Sequence, residues 1–390
     1  MAFINFYFNV HQPIRIRHYR IFDIGKNHNY FNDGLNREVF ERIEKLCYIP
    51  MNSLLMKLNK KYQDKFKVNF GVTGSFLEQL EEYGTNELKA SFKELLSSNF
   101  VEIVSETYYH SLSSLYSEKE FVEQIKHHYN EIERKFQKKP RIFRNTELIL
   151  NKEILDVIEN LGYDGFLCEG KKSILKEKTE NSIYSLKDSE MKVFFRNCEL
   201  SDDLAYKFID RNSKDYPLNP SKYIKKIEQL DGEIFNIFID YETFGEHIKD
   251  EDGVFNFFEE FVEKFIELGN EFKNFSDYTK KPKYSIQINE NVSWADKEKD
   301  HSAWCENRMQ QSALEAYYDL EDKIKKTKDQ NLLENWRKLG VSDNFYYMST
   351  KTNDDDQEVH SYFSHYDVPY DAYIDFRNIL SDLQEEINDK

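Results

Sequence analysis

Glycine is scarce. Only 13 occur in 390 residues, and none builds a GxGxxG or GxxxxGK[ST] loop. Binding a phosphate chain through backbone N–H groups relies on such loops, so their absence argues against nucleotide chemistry. Cysteine is scarce as well. Cys47, Cys168, Cys198 and Cys305 form no CxxC pair, which fits reduced thiols in a cytoplasmic protein. No segment stays apolar over the ~20 residues that a membrane-spanning helix needs. The N-terminus lacks a basic stretch ahead of its apolar run, so Phe3–Val10 reads as a strand and not as a signal peptide. Basic residues are outnumbered, 54 Lys and Arg against 71 Asp and Glu, for a net charge of -17. Nucleic acids and anionic membranes are bound through basic surfaces, and none is present here. GxSxG, HExxH and HxxxH are all missing, which removes the nucleophile elbow and the usual helical metal pair.

What the chain does have is apolar strands and aromatic rings. Hydrophobic residues make up 39%, and 31 Phe and 26 Tyr give an aromatic content that serves cores and flat ligands alike. Short apolar runs alternate with amphipathic segments up to about residue 270, the pattern of repeated βα units. Strands are expected at 3–10, 67–71, 100–104, 141–144, 165–168, 192–195 and 234–240, and helices at 37–61, 118–135, 152–161, 220–230 and 255–268. Seven such strands predict a parallel barrel, with an open doubly wound sheet as the competing architecture. Beyond them, 274–282 reads as a linker, 302–328 and 370–387 read as helical, and the acidic run Asn353–Asp356 reads as a solvated turn. The expected division is therefore a barrel over 1–273 and a helical region over 274–390. Oligomeric state is left open by the sequence.

In a parallel barrel, functional groups collect where the strands end and the βα loops converge. The segments following the strands are rich in such groups. They carry His11-Gln12-Pro13, then Gly71 to Gln79 with Glu78, then Ser105 to His110, then Arg144 to Glu147, and finally Asp240 to His247. Glu242, Glu246 and His247 crowd charge beside Asp240, which is unfavourable unless the groups are paired or used. Two carboxylates facing each other across a pocket is the arrangement that glycoside cleavage needs.

HQP at 11–13, GVTGSFLEQ at 71–79, FRNTEL at 143–148, DYETFGEH at 240–247 and SWADKEKDHSAWCENRMQ at 293–310 resemble, in order, the five sequence regions of glycoside hydrolase family 57. The likeness is greatest to its archaeal-type α-amylase subgroup, which FFRNCELSDDLAYKF and YPLNPSKY also resemble, and it runs from residue 3 to about residue 311. The resemblance implies a distorted, TIM-like (β/α)7 barrel followed by a helical region that adds to the substrate cleft. It also implies retaining cleavage of α-1,4-glucosidic bonds in starch, glycogen or maltodextrin, with no metal or other cofactor. Glu147 matches the nucleophile and Asp240 the general acid/base. His11, Glu78 and Glu242 match positions lining the subsite of the cleaved sugar, and Asp300 and Trp304 match substrate contacts. His110, His247 and Trp294 are further substrate-binding candidates from their places on the rim and in the fifth region. Cys305-Glu306 departs from the small or apolar residues usual there. A 4-α-glucanotransferase would use the same pair. A metal-dependent carbohydrate deacetylase, with His11, His110 and His247 meeting Asp240, has the wrong motif spacing. A non-catalytic glucan-binding protein would not need both carboxylates.

Overall fold

The computed structural model describes residues 1–282, 284–351 and 364–388, and the acidic run at 353–356 lies outside them. Ten strands are present among the described residues. In chain order they are β1 (Phe3–Val10), β2 (Val68–Val72), β3 (Val101–Val104), β4 (Ile142–Phe143), β5 (Gly165–Glu169), β6 (Ile183–Leu186), β7 (Lys192–Arg196), β8 (Ile234–Asp240), β9 (Glu271–Phe272) and β10 (Tyr284–Ile286). All seven strands expected from the sequence are found, within one or two residues at each end.

These seven close into a ring. β8, β1, β2 and β3 pair in parallel, as do β4, β5 and β7. The two arcs meet where Ser105 N donates to Ile142 O and Arg144 N to Ser105 O, both at 2.8 Å. At the opposite seam Asn197 N donates to Asn236 O at 2.8 Å, and the Asn236 amide donates to Phe195 O at 2.8 Å. A side chain thus carries part of the second seam. The fold is α/β, a seven-stranded barrel followed by a helical region.

Strand periodicity sorts the side chains. From β1, Ile4, Phe6, Phe8 and Val10 point outward into a core shared with the flanking helices, while Tyr7 joins an interior cluster. That interior is filled by Tyr7, Val104, Ile142, Leu167, Phe194 and Phe238, one each from six strands, together with Leu148 and Phe275. One step further along the strands the inward residues turn polar: Asn9, Arg144, Glu169, Arg196 and Asp240. An apolar plug therefore supports a charged rim. Gly71 is inward on β2 because a Cβ there would meet the Tyr7 hydroxyl at 2.0 Å.

The helix expected over 37–61 runs from Asp33 to Tyr62, with a wide turn at Glu44–Tyr48. Pro50 has no N–H for the carbonyl four residues earlier, and the run loosens there. Helices Glu118–Phe136, Lys152–Asn160, Pro220–Gln229 and Val254–Glu267 match expectation.

The segment read as a linker is instead the floor of the barrel. The Asn274 amide donates to Val68 O at 2.8 Å, and Phe275 fills the interior beside Phe194 and Phe238. Its polar, proline-containing composition imitates a linker, but its polar groups satisfy strand ends. β6, β9 and β10 were not expected. β6 turns back antiparallel to β7 and pairs with β10 outside the ring. The C-terminal helix Pro369–Asn388 and the helices over 302–346 share one core with the outward residues of β4, β5 and β7. Among the described residues, no helix is long and apolar enough to cross a membrane.

Candidate active site

Glu147 lies four residues beyond β4, and Asp240 ends β8 in register with Asn9 of β1. β4 and β8 stand on opposite sides of the ring, which places the two residues on opposite sides of its mouth. The Arg144 guanidinium and the Tyr7 hydroxyl, both buried in the barrel, feel the charge of both.

The Glu147 carboxylate is held by two donors from distant parts of the chain. His110 Nε2 lies 3.1 Å from Oε1, and the Trp294 indole N–H donates to Oε2 at 2.6 Å. Its backbone is held as well, since the Ser293 hydroxyl donates to Glu147 O at 2.8 Å. Glu147 (φ 56°), Leu148 (φ 53°) and His110 (φ 50°) all occupy the left-handed region. That conformation costs a non-glycine residue ~1–3 kcal/mol and persists where surrounding contacts enforce it. Here the contacts that enforce it are the ones that aim the carboxylate.

Charge around Glu147 alternates in sign. His110 Nδ1 lies 3.1 Å from Glu106 Oε2, so the imidazole bridges two carboxylates. Burial works against its protonation, but Glu106 and Glu147 outweigh burial and raise its pKa to about 9. Burial likewise opposes ionisation of Glu147. The hydrogen bond and charge of His110, with the charge of Arg144, nonetheless hold that carboxyl below its ordinary value. Arg144 is fully buried, sits 3.9 Å from Glu106 and lies 4.8 Å from the Trp294 ring in a cation–π contact. A charged base and a fixed indole thus keep Glu147 ionised and oriented.

His11 stacks on His110 with ring centres 4.0 Å apart. Its pKa is lowered by burial and by the neighbouring imidazolium, which makes it the neutral member of the pair. Nε2 faces Asp343 at 3.0 Å, and Nδ1 faces the Thr73 hydroxyl at 3.0 Å. On the other wall, Asn9 donates to Asp240 at 3.0 Å. Glu242 is buried next to Asp240 and receives the Tyr48 hydroxyl at 2.6 Å. Burial, reinforced by the charge of Asp240, pushes Glu242 up to about 8 despite that hydrogen bond. His247 is held below its ordinary value by burial, although Asp240 and Glu246 pull the other way.

The structure therefore brings Glu147, His110, His11 and Trp294 into one contact network, with Asp240, Glu242 and His247 opposite. Three expected site residues have other partners in the structure. Glu78 pairs with Lys338 at 3.1 Å. Asp300 accepts from Ser302 N at 2.9 Å and caps the turn that follows. Trp304 is 2% exposed and packs on Tyr346 in the helical core, so its ring has no free face for a sugar. Asp202 binds Arg196 at 2.6 Å, while Asp203 pairs with Lys207 and Lys226.

Other participants were not singled out as site residues from the sequence. Asp343 lies in the helical region with no local motif to mark it. Glu106 and Arg144 stood within the segments after β3 and β4, where each could be read as a surface charge. Tyr206 is 60% exposed and close enough to Asp240 and Glu147 to feel their charge. The only hint of it was its place in the stretch resembling the subgroup.

The chain is thus a parallel α/β barrel with carboxylates on the C-terminal rim of its strands. The profile of glycosyl hydrolase family 57 matches residues 5–293, and the chain belongs to that family. A Methanocaldococcus jannaschii protein named "Putative alpha-amylase" is 39% identical over 408 residues, spanning 99% of this chain and 85% of its own length. Among solved structures, the GH57-type branching enzyme of Pyrococcus horikoshii superposes with a TM-score of 0.64 at 16% identity, covering 93% of this chain and 88% of the other. The 4-alpha-glucanotransferase of Thermococcus litoralis gives 0.58 at 17% identity, over 93% of this chain and 54% of its own.

Proposed function

We propose that this chain is a retaining, α-amylase-like hydrolase of α-1,4-glucans such as starch, glycogen or maltodextrin. The observation that carries the reading is the double anchoring of Glu147 by His110 and Trp294, opposite Asp240. An ionised, oriented carboxylate suits attack on an anomeric carbon, with inversion at that centre and formation of a covalent glycosyl ester. Asp240 protonates the departing glycosidic oxygen in that step. It then takes a proton from the incoming water, whose oxygen displaces Glu147 and restores the original configuration. Tyr206 offers an exposed ring beside the carboxylates on which a glucose can stack. The helical region over 274–390 completes the cleft through Trp294 and Asp343. The curated archaeal relative supports the choice of an α-glucan.

Glucan transfer is the second reading. It uses the same first step, with a sugar hydroxyl in place of water in the second, and the fold shared with the Thermococcus glucanotransferase is compatible with it. Incubation with maltotriose separates the two, since glucose and maltose alone mean hydrolysis and longer oligomers mean transfer. Proton NMR of the first-formed products should show the α-anomer. Glu147→Gln and Asp240→Asn should each lose about 10³-fold or more in kcat. Turnover equal to the parent in either variant would sink the assignment.

A further inference from the structure

Arg144 is fully buried, yet none of its three guanidinium nitrogens has a hydrogen-bond partner among the described residues. Burying a cation with all its donors unmatched is costly, so such a side chain calls for an explanation. Its place is nonetheless well defined. Arg144 N donates to Ser105 O at 2.8 Å, and the guanidinium carbon lies 4.8 Å from the centre of the Trp294 ring. The indole therefore holds the cation by its π face without engaging a donor. Glu106, at 3.9 Å, is beyond hydrogen-bond distance. A guanidinium is weakly hydrated and stays charged in such a setting, where a charge acts strongly on its neighbours.

The groups whose charge it feels come from several elements: Tyr7 on β1, Glu106 after β3, Asp240 at the end of β8 and Glu147 on its own segment. In acid most of the surroundings keep one state. His110, between Glu106 and Glu147, retains its proton up to about 9, and burial keeps Tyr7 a neutral phenol. Glu106, although buried, is held below its ordinary value by His110 and Arg144. Beside Asp240, burial keeps Glu242 protonated up to about 8 and holds His247 low.

The inference rests on the catalytic reading proposed above, in which one negative charge moves between two acids. In the first step a Glu147 oxygen bonds to the anomeric carbon. The bond to the glycosidic oxygen breaks, its electron pair leaves on that oxygen, and Asp240 supplies the proton. Glu147 is then a neutral ester and Asp240 a carboxylate. In the second step a water oxygen bonds to the same carbon, the ester bond breaks, Glu147 leaves as a carboxylate and Asp240 takes the proton of the water. The pair thus carries one negative charge before and after each step, in alternating places. A cation hydrogen-bonded to one member, as His110 is to Glu147, favours one stage over the other. A cation bonded to neither serves both.

We propose that Arg144 is a positioning residue for charge: it is the shared counter-charge that keeps Glu147 and Asp240 at one proton and one negative charge, in the free enzyme and in the glycosyl-enzyme alike. Removing it narrows the pH range of both steps from the acid side. Because the pair has the same net charge before and after each step, the rate at the optimum is affected far less.

The test compares the full-length parent with Arg144→Met and Arg144→Lys, each checked for folding by thermal denaturation. The acid limb of kcat/KM on maltodextrin reads the free enzyme. α-Maltosyl fluoride has a leaving group that needs little protonation, so kcat for fluoride release reads the second step, as a burst of fluoride equal to the enzyme concentration verifies. In Arg144→Met both acid limbs should move upward by about one pH unit, with the plateaus reduced by about tenfold at most. Arg144→Lys keeps the charge, and both limbs should stay within about 0.3 unit of the parent. A limb that moves only on maltodextrin would mean that Arg144 serves Glu147 alone, and would overturn the proposal. So would limbs unmoved in Arg144→Met, or displaced by a full unit in Arg144→Lys. Should Arg144→Met not fold, Arg144→Lys decides alone. Failure of the catalytic reading looks different: the parent itself would release no fluoride and cleave no maltodextrin, and this inference would fall with it.

Discussion

The indole nitrogen of Trp294 and the carboxylate of Glu147 meet at 2.6 Å, joining residues 147 positions apart in sequence. Trp294 is thereby a positioning residue for the carboxylate, and its N–H is unavailable to sugar hydroxyls. A hydrogen bond to a charged group is worth about 1.5–3 kcal/mol. Trp294→Phe keeps most of the ring and loses that bond. We expect kcat to fall by roughly 10- to 100-fold with KM little changed. A residue that served only to stack on substrate would instead raise KM, so steady-state kinetics on a maltodextrin distinguish the two.

His110 makes the site sensitive to alkali. Its folded pKa is raised, so the stability it contributes is complete below its ordinary value near 6.5 and is lost as pH climbs through about 9. Glu147 has the opposite sign. Its pKa is lowered, and its contribution is present above about 4.5 and lost as pH falls further. Above pH ~9 the neutral imidazole has one N–H for two carboxylates, and Glu147 loses a secure partner. The pH–rate profile of the parent should therefore decline through that region. His110→Gln should be slower at neutral pH and lack that part of the decline.

Glu242 predicts a stability effect of its own. Being raised to about 8, it remains protonated at neutral pH, and stability falls as pH rises from its ordinary value near 4.5 towards 8. Glu242→Gln keeps a neutral side chain of the same shape. The thermal midpoint of the variant should exceed that of the parent at pH 9, and the gap should close towards pH 4.5. A gap independent of pH would contradict the burial argument.

Phe275 tests the barrel floor. It is buried against Phe194 and Phe238, whereas a linker phenylalanine would be dispensable. Truncating a buried phenylalanine removes its burial and leaves a cavity, typically about 3–5 kcal/mol. Phe275→Ala should show a loss of that order in denaturant unfolding, and a loss under about 1 kcal/mol would restore the linker reading.

The strands and their order were legible because strand periodicity is local. In β1 and β8, outward apolar residues alternate with inward Asn5, Tyr7 and Asn9, or Asn236, Phe238 and Asp240, and that pattern survives in one dimension. The same locality placed Glu147 and Asp240 after their strands, and the motifs around them carried the resemblance from which the proposed role of each was taken. β9 and β10 escaped notice because two or three residues carry no readable period. Asn274–Phe275 misled because an amide and a ring look alike in a linker and in a plug. The partners of the site were also beyond local reading. His11 finds Asp343 across 332 positions, and Glu147 finds Trp294 only when the fifth region folds back over the rim. Sequence by itself determined the barrel strands and which ends of them carry charge, since both depend on neighbours one or two residues away. Tertiary structure alone decided which charges pair and which carboxylate is held ionised, since these depend on distances set by ring closure and by the burial it imposes.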